Sequence, residues 1–276
     1  MPSMIIGNTD LLATVQLTGI MVSLAVLSVA SVSDLRTREV SNHYWLFYGP
    51  VALALFLAQI VTSSNWFIVG VSGGVTIVIA FIMFQVGLVG GADSKALMCL
   101  GLAMPTLPSF ITPYWQSPFA FYPFPIVVLV NSFLLSISAG LFIMGKNLIV
   151  RARSSGGLFR GFEKESIVRK ALVLFTSYKT SFTLLRTRPY LYPAEQVQLV
   201  DSKPVRHFRL VSSVEQERNE MVSELEPYTA QGLYSDGVWV TPGLPHLVFI
   251  LGSLVVSVVL GDLLMWVFTR MVGYQA

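Results

Sequence analysis

Six apolar segments constrain the fold of this chain more than any other feature of the sequence. They cover approximately residues 11–33, 45–62, 66–88, 94–104, 124–144 and 245–268. Five of them have about the 17–25 residues that a helix needs to span a bilayer. The fourth provides about half a span before it reaches Pro105. The pattern predicts an all-α integral membrane protein with six transmembrane helices.

The composition agrees with this class and excludes several kinds of site. Only 12% of the residues are charged, against roughly 25% in a typical soluble domain. Mean hydropathy is +0.67. Cys99 is the only cysteine, which excludes intramolecular disulfides, paired-cysteine zinc sites and iron–sulfur clusters. The histidines, at positions 43, 207 and 246, lack the spacing of a metal site. The sequence therefore predicts neither a metal nor a cofactor.

The basic residues predict the orientation of the chain in the membrane. With six spans, the first, third and fifth loops share one side. Every lysine and arginine except Arg270 lies in these loops or, in the case of Lys95, at the adjoining start of the fourth segment. The positive-inside rule assigns that side to the cytoplasm and both termini to the outside. The computed pI is near 9.0. Because the positive charge is concentrated in these loops, we expect it to meet anionic lipid headgroups rather than nucleic acid.

One soluble insertion, residues 145–244, separates the fifth and sixth spans. EKESIVRKALVLFTSY is typical of an amphipathic helix on a membrane surface, and SSVEQERNEMVSELEPY of a solvated helix. YLYPAEQVQLV, HFRLV and VWVTP are typical of short strands. The predicted organisation is a membrane core at 1–144, a small cytoplasmic α+β insertion at 145–244, and a last transmembrane helix at 245–276.

Two aspartates lie where these spans meet the cytoplasm. Asp34 closes the first apolar segment, and Asp93 precedes the fourth in GGADSKAL. An ionisable group at the edge of a membrane helix is costly and by default indicates function. Two carboxylates that approach each other in a poorly solvated site share a proton. One can then activate water as a general base while the other polarises a carbonyl group, which is the chemistry of aspartic proteolysis.

The glycines before Asp93 support this interpretation. Gly90 and Gly91 allow backbone conformations and close approaches that a side chain would block. We expect them to interrupt the helix and to present Asp93 at the mouth of a water-filled cavity, because irregular backbone at this depth is tolerated only against protein or water.

The two aspartate motifs together resemble a known family. G90-G91-A92-D93-S94-K95, combined with D34-L-R-T-R-E-V-S-N42, resembles the GxGD aspartyl peptidases of the type IV prepilin peptidase family, in its archaeal preflagellin peptidase branch. Ala92 stands where that family usually has glycine. The resemblance implies that Asp34 and Asp93 are the catalytic pair. It also implies that preflagellin and pilin-like precursors are the substrates and that cleavage removes a short basic leader at the cytoplasmic face.

Other interpretations of the same residues stay open. Asp34 alone is also typical of an interfacial helix end, and Asp93 alone of a helix cap. Lys95 supports the site or contacts lipid headgroups, and Asn42 orders the loop after Asp34 or makes an ordinary turn.

Two other kinds of protein would use this pattern differently. A transporter would use the aspartates as a proton or cation pair, and a membrane scaffold would use the insertion for docking. Asp262, in the last apolar segment, lies roughly 25 Å along the helix from Pro245 at 1.5 Å per residue. We therefore expect it near the outer face, away from the pair.

Overall fold

The computed structural model describes residues 2–116, 123–153, 157–200, 203–209 and 218–273. The chain forms two compact units. The first comprises Met1–Ser136 and Pro245–Ala276, and the second comprises Ile137–Leu244.

The first unit is helical. Its helices are α1 (Pro2–Thr37), α2 (Asn42–Thr62), α3 (Trp66–Gln85), α4 (Gly91–Ala103), α5 (Phe124–Arg153), α9 (His246–Val259) and α10 (Leu263–Met271), with α5 continuing into the second unit. In the part of the chain that the structure describes, four helices are long and apolar enough to cross a membrane: Asp10–Thr37, Asn42–Thr62, Trp66–Gln85 and Phe124–Ala152. The bent pair α9–α10 would make a fifth span. The chain is therefore a multi-pass membrane protein.

The fourth predicted segment forms the short helix α4. Its 13 residues extend about 20 Å, which is less than the thickness of the bilayer core. It packs against α1, α2, α3 and α9, and Leu97, Leu100 and Ala103 are almost completely buried. A Cβ on Gly101 would lie 2.8 Å from the Thr76 side chain. This glycine therefore lets α3 and α4 approach closely, and α4 forms the centre of the helical unit.

The last apolar segment is broken rather than continuous. α9 and α10 are bent by 59°. Gly261 adopts a φ of 96°, and the Asp262 side chain caps α10 by accepting a hydrogen bond from the backbone N–H of Met265 at 3.0 Å. Asn131 of α5 donates to the carbonyl of Gly261 at 2.9 Å and accepts from the N–H of Leu263 at 3.1 Å. A side chain of α5 thus satisfies backbone groups that the break leaves without helical partners.

The second unit contains strands and short helices. Its elements are α6 (Ile167–Thr176), β1 (Tyr178–Thr180), α7 (Phe182–Thr187), β2 (Leu191–Pro193), β3 (Glu195–Val200), β4 (Lys203–Phe208), α8 (Arg218–Thr229) and β5 (Val238–Pro242). β5 pairs antiparallel with both β1 and β2, whereas β3 and β4 form a hairpin. The strands predicted in YLYPAEQVQLV and VWVTP are confirmed. β4 begins four residues before HFRLV, and β1 was not predicted. The start of the predicted helix at 212–217 lies outside the described residues.

A buried arginine organises the second unit. Arg206 is only 5% exposed, and its guanidinium donates to both Glu195 carboxylate oxygens, at 2.9 and 3.0 Å. It also donates to the carbonyls of Leu233 and Gly237 and to Asp236 at 2.6 Å. These bonds use the full donor capacity of a guanidinium and join the β3–β4 hairpin to the turn before β5.

The pKa of Asp236 reflects this network. Burial opposes ionisation of the carboxyl, but hydrogen bonds from Lys179 and Arg206 outweigh burial and lower its pKa. Asp236 is therefore ionised at neutral pH and stabilises the turn through both cations.

Candidate active site

The end of α1 positions Asp34. The helix ends at Thr37, and Arg38 adopts a left-handed φ of 59° while its N–H still donates to the Asp34 carbonyl at 3.1 Å. This is the conformation in which helices commonly terminate. The carboxylate of Asp34 is half-buried and lies near the side chain of Arg38 and the backbone of Leu247, at the start of α9. Asp34 is thus held one turn before the end of a long apolar helix.

The beginning of α4 positions Asp93. This residue lies in the first turn, and its Oδ2 accepts a hydrogen bond from the N–H of Gly90, the N-cap, at 3.3 Å. An acidic side chain that bonds back to the N-cap satisfies one of the free amides at a helix start. Asp93 is thus not the N-cap residue itself, as the alternative interpretation had it, but lies three residues inside and bonds back to the N-cap. This bond uses Oδ2 and leaves Oδ1 for chemistry.

The glycines before Asp93 matter because they have no side chain, and not because they adopt unusual backbone angles. Gly90 has φ −68° and ψ 159°, which any residue can adopt, and Gly91 is the first helical residue. The left-handed glycine in this connection is Gly87, with φ 71°. A Cβ on Gly90 would lie 3.1 Å from Oδ2 of Asp93, and one on Gly91 would lie 3.4 Å from the Phe84 ring. Gly90 is therefore the position at which a side chain would crowd the carboxylate.

The two aspartates come together. α1 packs directly against α4, and the carboxylates are close enough for the charge of Asp34 to act on Asp93. Both side chains are partly buried. The side chain of Asp93 is 15% exposed, and Asp34 is half-buried. The charge of one carboxylate therefore affects the ionisation of the other.

The supporting residues predicted from the motifs also meet. Nζ of Lys95, on α4, donates a 2.7 Å hydrogen bond to Oδ1 of Asn42, the first residue of α2. This bond lies at an exposed position and links the helix that carries Asp93 to the loop that follows Asp34. Lys95 and Asn42 thus belong to one structural connection, which sequence spacing did not predict.

His246 is the site residue that the sequence analysis missed. It is the first residue of α9, and its Nδ1 lies 3.8 Å from Oδ2 of Asp93. The other ring nitrogen, Nε2, lies 3.4 Å from the hydroxyl of Ser132 on α5. The sequence carried a usable signal, because His246 opens the last apolar segment on the same predicted face as the two aspartates.

The described residues contain no group of three or more histidine, cysteine or acidic side chains that could hold a metal ion. The chemistry available at the site is that of two interacting carboxyl groups with an imidazole beside one of them.

Two family models match the chain. The model of the type IV leader peptidase family matches residues 21–144, which include both aspartates. The model described as Archaeal Peptidase A24 C-terminus Type II matches residues 169–263. Together they cover most of the sequence, including most of the soluble insertion, for which no motif was recognised.

Three curated relatives agree with these matches. A preflagellin peptidase of Methanococcus voltae is 28% identical over 250 residues, which cover 87% of this chain and 94% of that protein. A preflagellin peptidase of Methanocaldococcus jannaschii is 26% identical over 259 residues, covering 90% and 95%. One of Methanococcus maripaludis is 22% identical over 245 residues, covering 86% and 92%. These matches favour a peptidase over a transporter or a scaffold. The chain is therefore similar to the type IV leader peptidase family over residues 21–144 and to the C-terminal region of its archaeal members over residues 169–263.

Proposed function

We propose that this chain is a membrane aspartyl endopeptidase that removes the short basic leader from preflagellin and related type IV pilin-like precursors, with Asp34 and Asp93 as its catalytic pair. The observation that carries the proposal is the meeting of these two carboxylates, each from a different helix end, within electrostatic reach of each other. Their positions in the sequence are those of the two family motifs.

The chemistry follows from sharing one proton between the two acids. The ionised carboxylate removes a proton from a water molecule while the water oxygen bonds to the peptide carbonyl carbon. The protonated carboxyl gives its proton to the carbonyl oxygen. The C–N bond of the tetrahedral intermediate then breaks, and the leaving nitrogen takes up the proton that the first carboxylate removed from water. The second carboxyl recovers its proton from a hydroxyl of the intermediate as the new carboxyl group forms. Because one acid must be ionised and the other protonated, activity should follow a bell-shaped pH profile whose apparent pKa values belong to the pair.

The position of the pair suits the proposed substrate. A precursor with a charged leader before an apolar helix places its scissile bond at the membrane surface. Asp34 lies one turn before the end of the long apolar helix α1, and Asp93 lies in the first turn of the short helix α4. A pair at such helix ends can reach that bond without unwinding a helix inside the bilayer.

Charge-neutral substitution tests the catalytic pair. Asp34→Asn and Asp93→Asn should each abolish cleavage of a co-expressed preflagellin, scored as a gel shift, while membrane insertion persists. Asp10→Asn is the matched control, since it removes an acid from the same helix about 36 Å away along its axis. It should cleave like the wild type. Full cleavage by either Asp34→Asn or Asp93→Asn would eliminate the pair mechanism.

We further propose six spans, with the short α4 as the fourth, both termini outside, and the 145–244 insertion in the cytoplasm. The distribution of basic residues supports this topology. Two single-cysteine variants, Arg160→Cys and Ser64→Cys, are made in a Cys99→Ala background and treated with a membrane-impermeant reagent. The cysteine at position 160 should react only from the inside, and the cysteine at position 64 should react only from the outside. Labelling of position 160 from the outside would refute the topology.

We also propose that α6 contacts anionic lipid. Its exposed face carries Ile167 and Val168, which are 85% and 69% exposed, and Arg169 lies beside them. An apolar stripe flanked by basic residues is typical of a helix in a membrane interface. An environment-sensitive fluorophore on Ile167→Cys, in the Cys99→Ala protein, should shift to the blue in anionic nanodiscs more than in neutral ones. Equal spectra in the two would contradict this contact.

A further inference from the structure

The imidazole of His246 is held between two side chains and an aromatic ring. Nδ1 faces Oδ2 of Asp93 at 3.8 Å, and Nε2 faces Oγ of Ser132 at 3.4 Å. The ring also lies against Phe133, with centroids 5.3 Å apart and planes tilted by 31°. His246 is only 16% exposed. A histidine fixed in this way presents one defined nitrogen to the carboxylate of the catalytic pair.

The hydrogen bonds of Ser132 identify which ring nitrogen of His246 carries the hydrogen. The Ser132 hydroxyl has a single hydrogen, and it donates that hydrogen to the Leu129 carbonyl at 2.6 Å. Towards His246 the hydroxyl can therefore only accept, which assigns the ring hydrogen to Nε2. In the neutral imidazole Nδ1 then has a lone pair directed at Asp93. Nδ1 is buried and has no hydrogen-bond partner among the described residues.

We infer that His246 is a positioning residue for Asp93: its Nδ1 accepts a hydrogen bond from the protonated Oδ2 and so fixes the carboxyl group for catalysis. This inference rests on the proposed function. Gly90 and His246 both approach Oδ2. Asp93 is then the protonated acid of the pair and Asp34 is the ionised one. Nδ1 holds the proton on Oδ2 until a substrate binds, and Oδ2 then gives this same proton to the peptide carbonyl oxygen. Oδ1 is left for water or Asp34.

The hydrogen bond between Nδ1 of His246 and Oδ2 of Asp93 depends on the distance between these atoms and on the charged groups around them. A separation of 3.8 Å exceeds the length of a hydrogen bond, and catalytic hydrogen bonds are often long before substrate binds. A movement of about 1 Å closes the gap. The charged groups around the imidazole are Asp93 from α4 and, from α1, Asp34 with Arg38 beside it. The position of the proton should therefore depend on both acids.

Two amide substitutions separate positioning from simple packing. An asparagine side chain places its amide near the position of histidine Nδ1, whereas glutamine places it near Nε2. His246→Asn therefore keeps a group facing Asp93, and His246→Gln keeps one facing Ser132. We expect kcat for precursor cleavage to fall about 10- to 100-fold in His246→Gln and less than about fivefold in His246→Asn, with KM little changed in both, because the imidazole orients the acid and does not bind substrate.

His43→Asn is the matched control, since His43 is an exposed histidine at the start of α2, and it should cleave like the wild type. Greater loss in His246→Asn than in His246→Gln would show that the Ser132 contact is the important one and would overturn the inference. Equal activity of both variants and the wild type would also overturn it.

An NMR measurement tests the contact without relying on activity. The protein has three histidines, so ¹⁵N-histidine labelling of the full chain in micelles gives few signals, and His→Asn variants assign them. Asp93→Asn should change the ¹⁵N shift of His246 Nδ1 and leave that of Nε2 nearly constant. An unchanged Nδ1 signal would overturn the inference. Failure of the wild type to cleave any precursor would instead count against the proposed function, while the Nδ1 signal would still decide the contact.

Discussion

Replacing Gly90 by alanine should impair catalysis through a single close contact. The added Cβ would lie 3.1 Å from Oδ2 of Asp93, about 0.3 Å inside the 3.4 Å at which ordinary contact begins. The backbone angles of Gly90 suit alanine, so the contact is the main perturbation. A misplacement of about 1 Å can cost about 100-fold in rate. Scaling the free energy with distance gives a loss of about fourfold for a 0.3 Å shift of the carboxylate, and up to about tenfold if the bond from the Gly90 N–H is also lost.

Gly91→Ala is the matched control for this prediction. Its Cβ would reach only 3.4 Å from the Phe84 ring, and alanine is favourable at a helical position. Steady-state cleavage of a purified precursor in detergent should therefore be lower for Gly90→Ala than for Gly91→Ala, and size-exclusion chromatography should show that both variants are folded. Wild-type activity in Gly90→Ala, or an equal loss in both variants, would refute the reasoning that Gly90 is needed for the position of Asp93.

Three further predictions concern contacts elsewhere in the chain. Lys95→Met and Asn42→Ala should each lower precursor cleavage by less than about fivefold and the double variant no further, because they remove the same bond; additive losses would contradict this. Arg206→Met should destabilise the soluble unit by about 3–5 kcal/mol, measured by hydrogen exchange, because it leaves a buried carboxylate unpaired. Adding Glu195→Leu should recover most of that loss, and no recovery would argue against the pairing. The pKa of Asp236 is lowered on folding, so its stabilisation is complete above the ordinary aspartate pKa and is lost as pH falls through the lowered value. In Asp236→Asn the free energy of unfolding should therefore fall less steeply below about pH 4 than in the wild type. An unchanged dependence on pH in this range would contradict this.

Patterns of apolar residues along the sequence predicted most helices of the membrane unit and two strands of the soluble unit. Hydropathy identified the long helices of the membrane unit, and the short apolar run before Pro105 predicted that α4 would be short. The strands β2 and β5 followed from alternating apolar residues between turn signals. The family motifs selected Asp34 and Asp93, which the fold brings together.

The features that the sequence did not predict depend on contacts between distant segments. His246 gains its place beside Asp93 only because α9 packs against α1 and α4. The bond between Lys95 and Asn42 joins two helices that spacing alone does not align. The break between α9 and α10 was not predicted because apolar residues continue on both sides of Gly261 and Asp262, so the sequence has the pattern of one segment.

The break in the last apolar segment has a consequence for how the protein enters the membrane during synthesis. An aspartate within a spanning segment opposes insertion, most strongly at its centre, where the cost is about 2.5–3.5 kcal/mol. Asp262 lies within this segment, and the backbone groups exposed at the break find their partners on Asn131 of α5. The segment should therefore insert poorly by itself and efficiently once α5 is already in the bilayer. Biogenesis would then be ordered, with the polypeptide completing its last crossing only after α5 is in place to receive it.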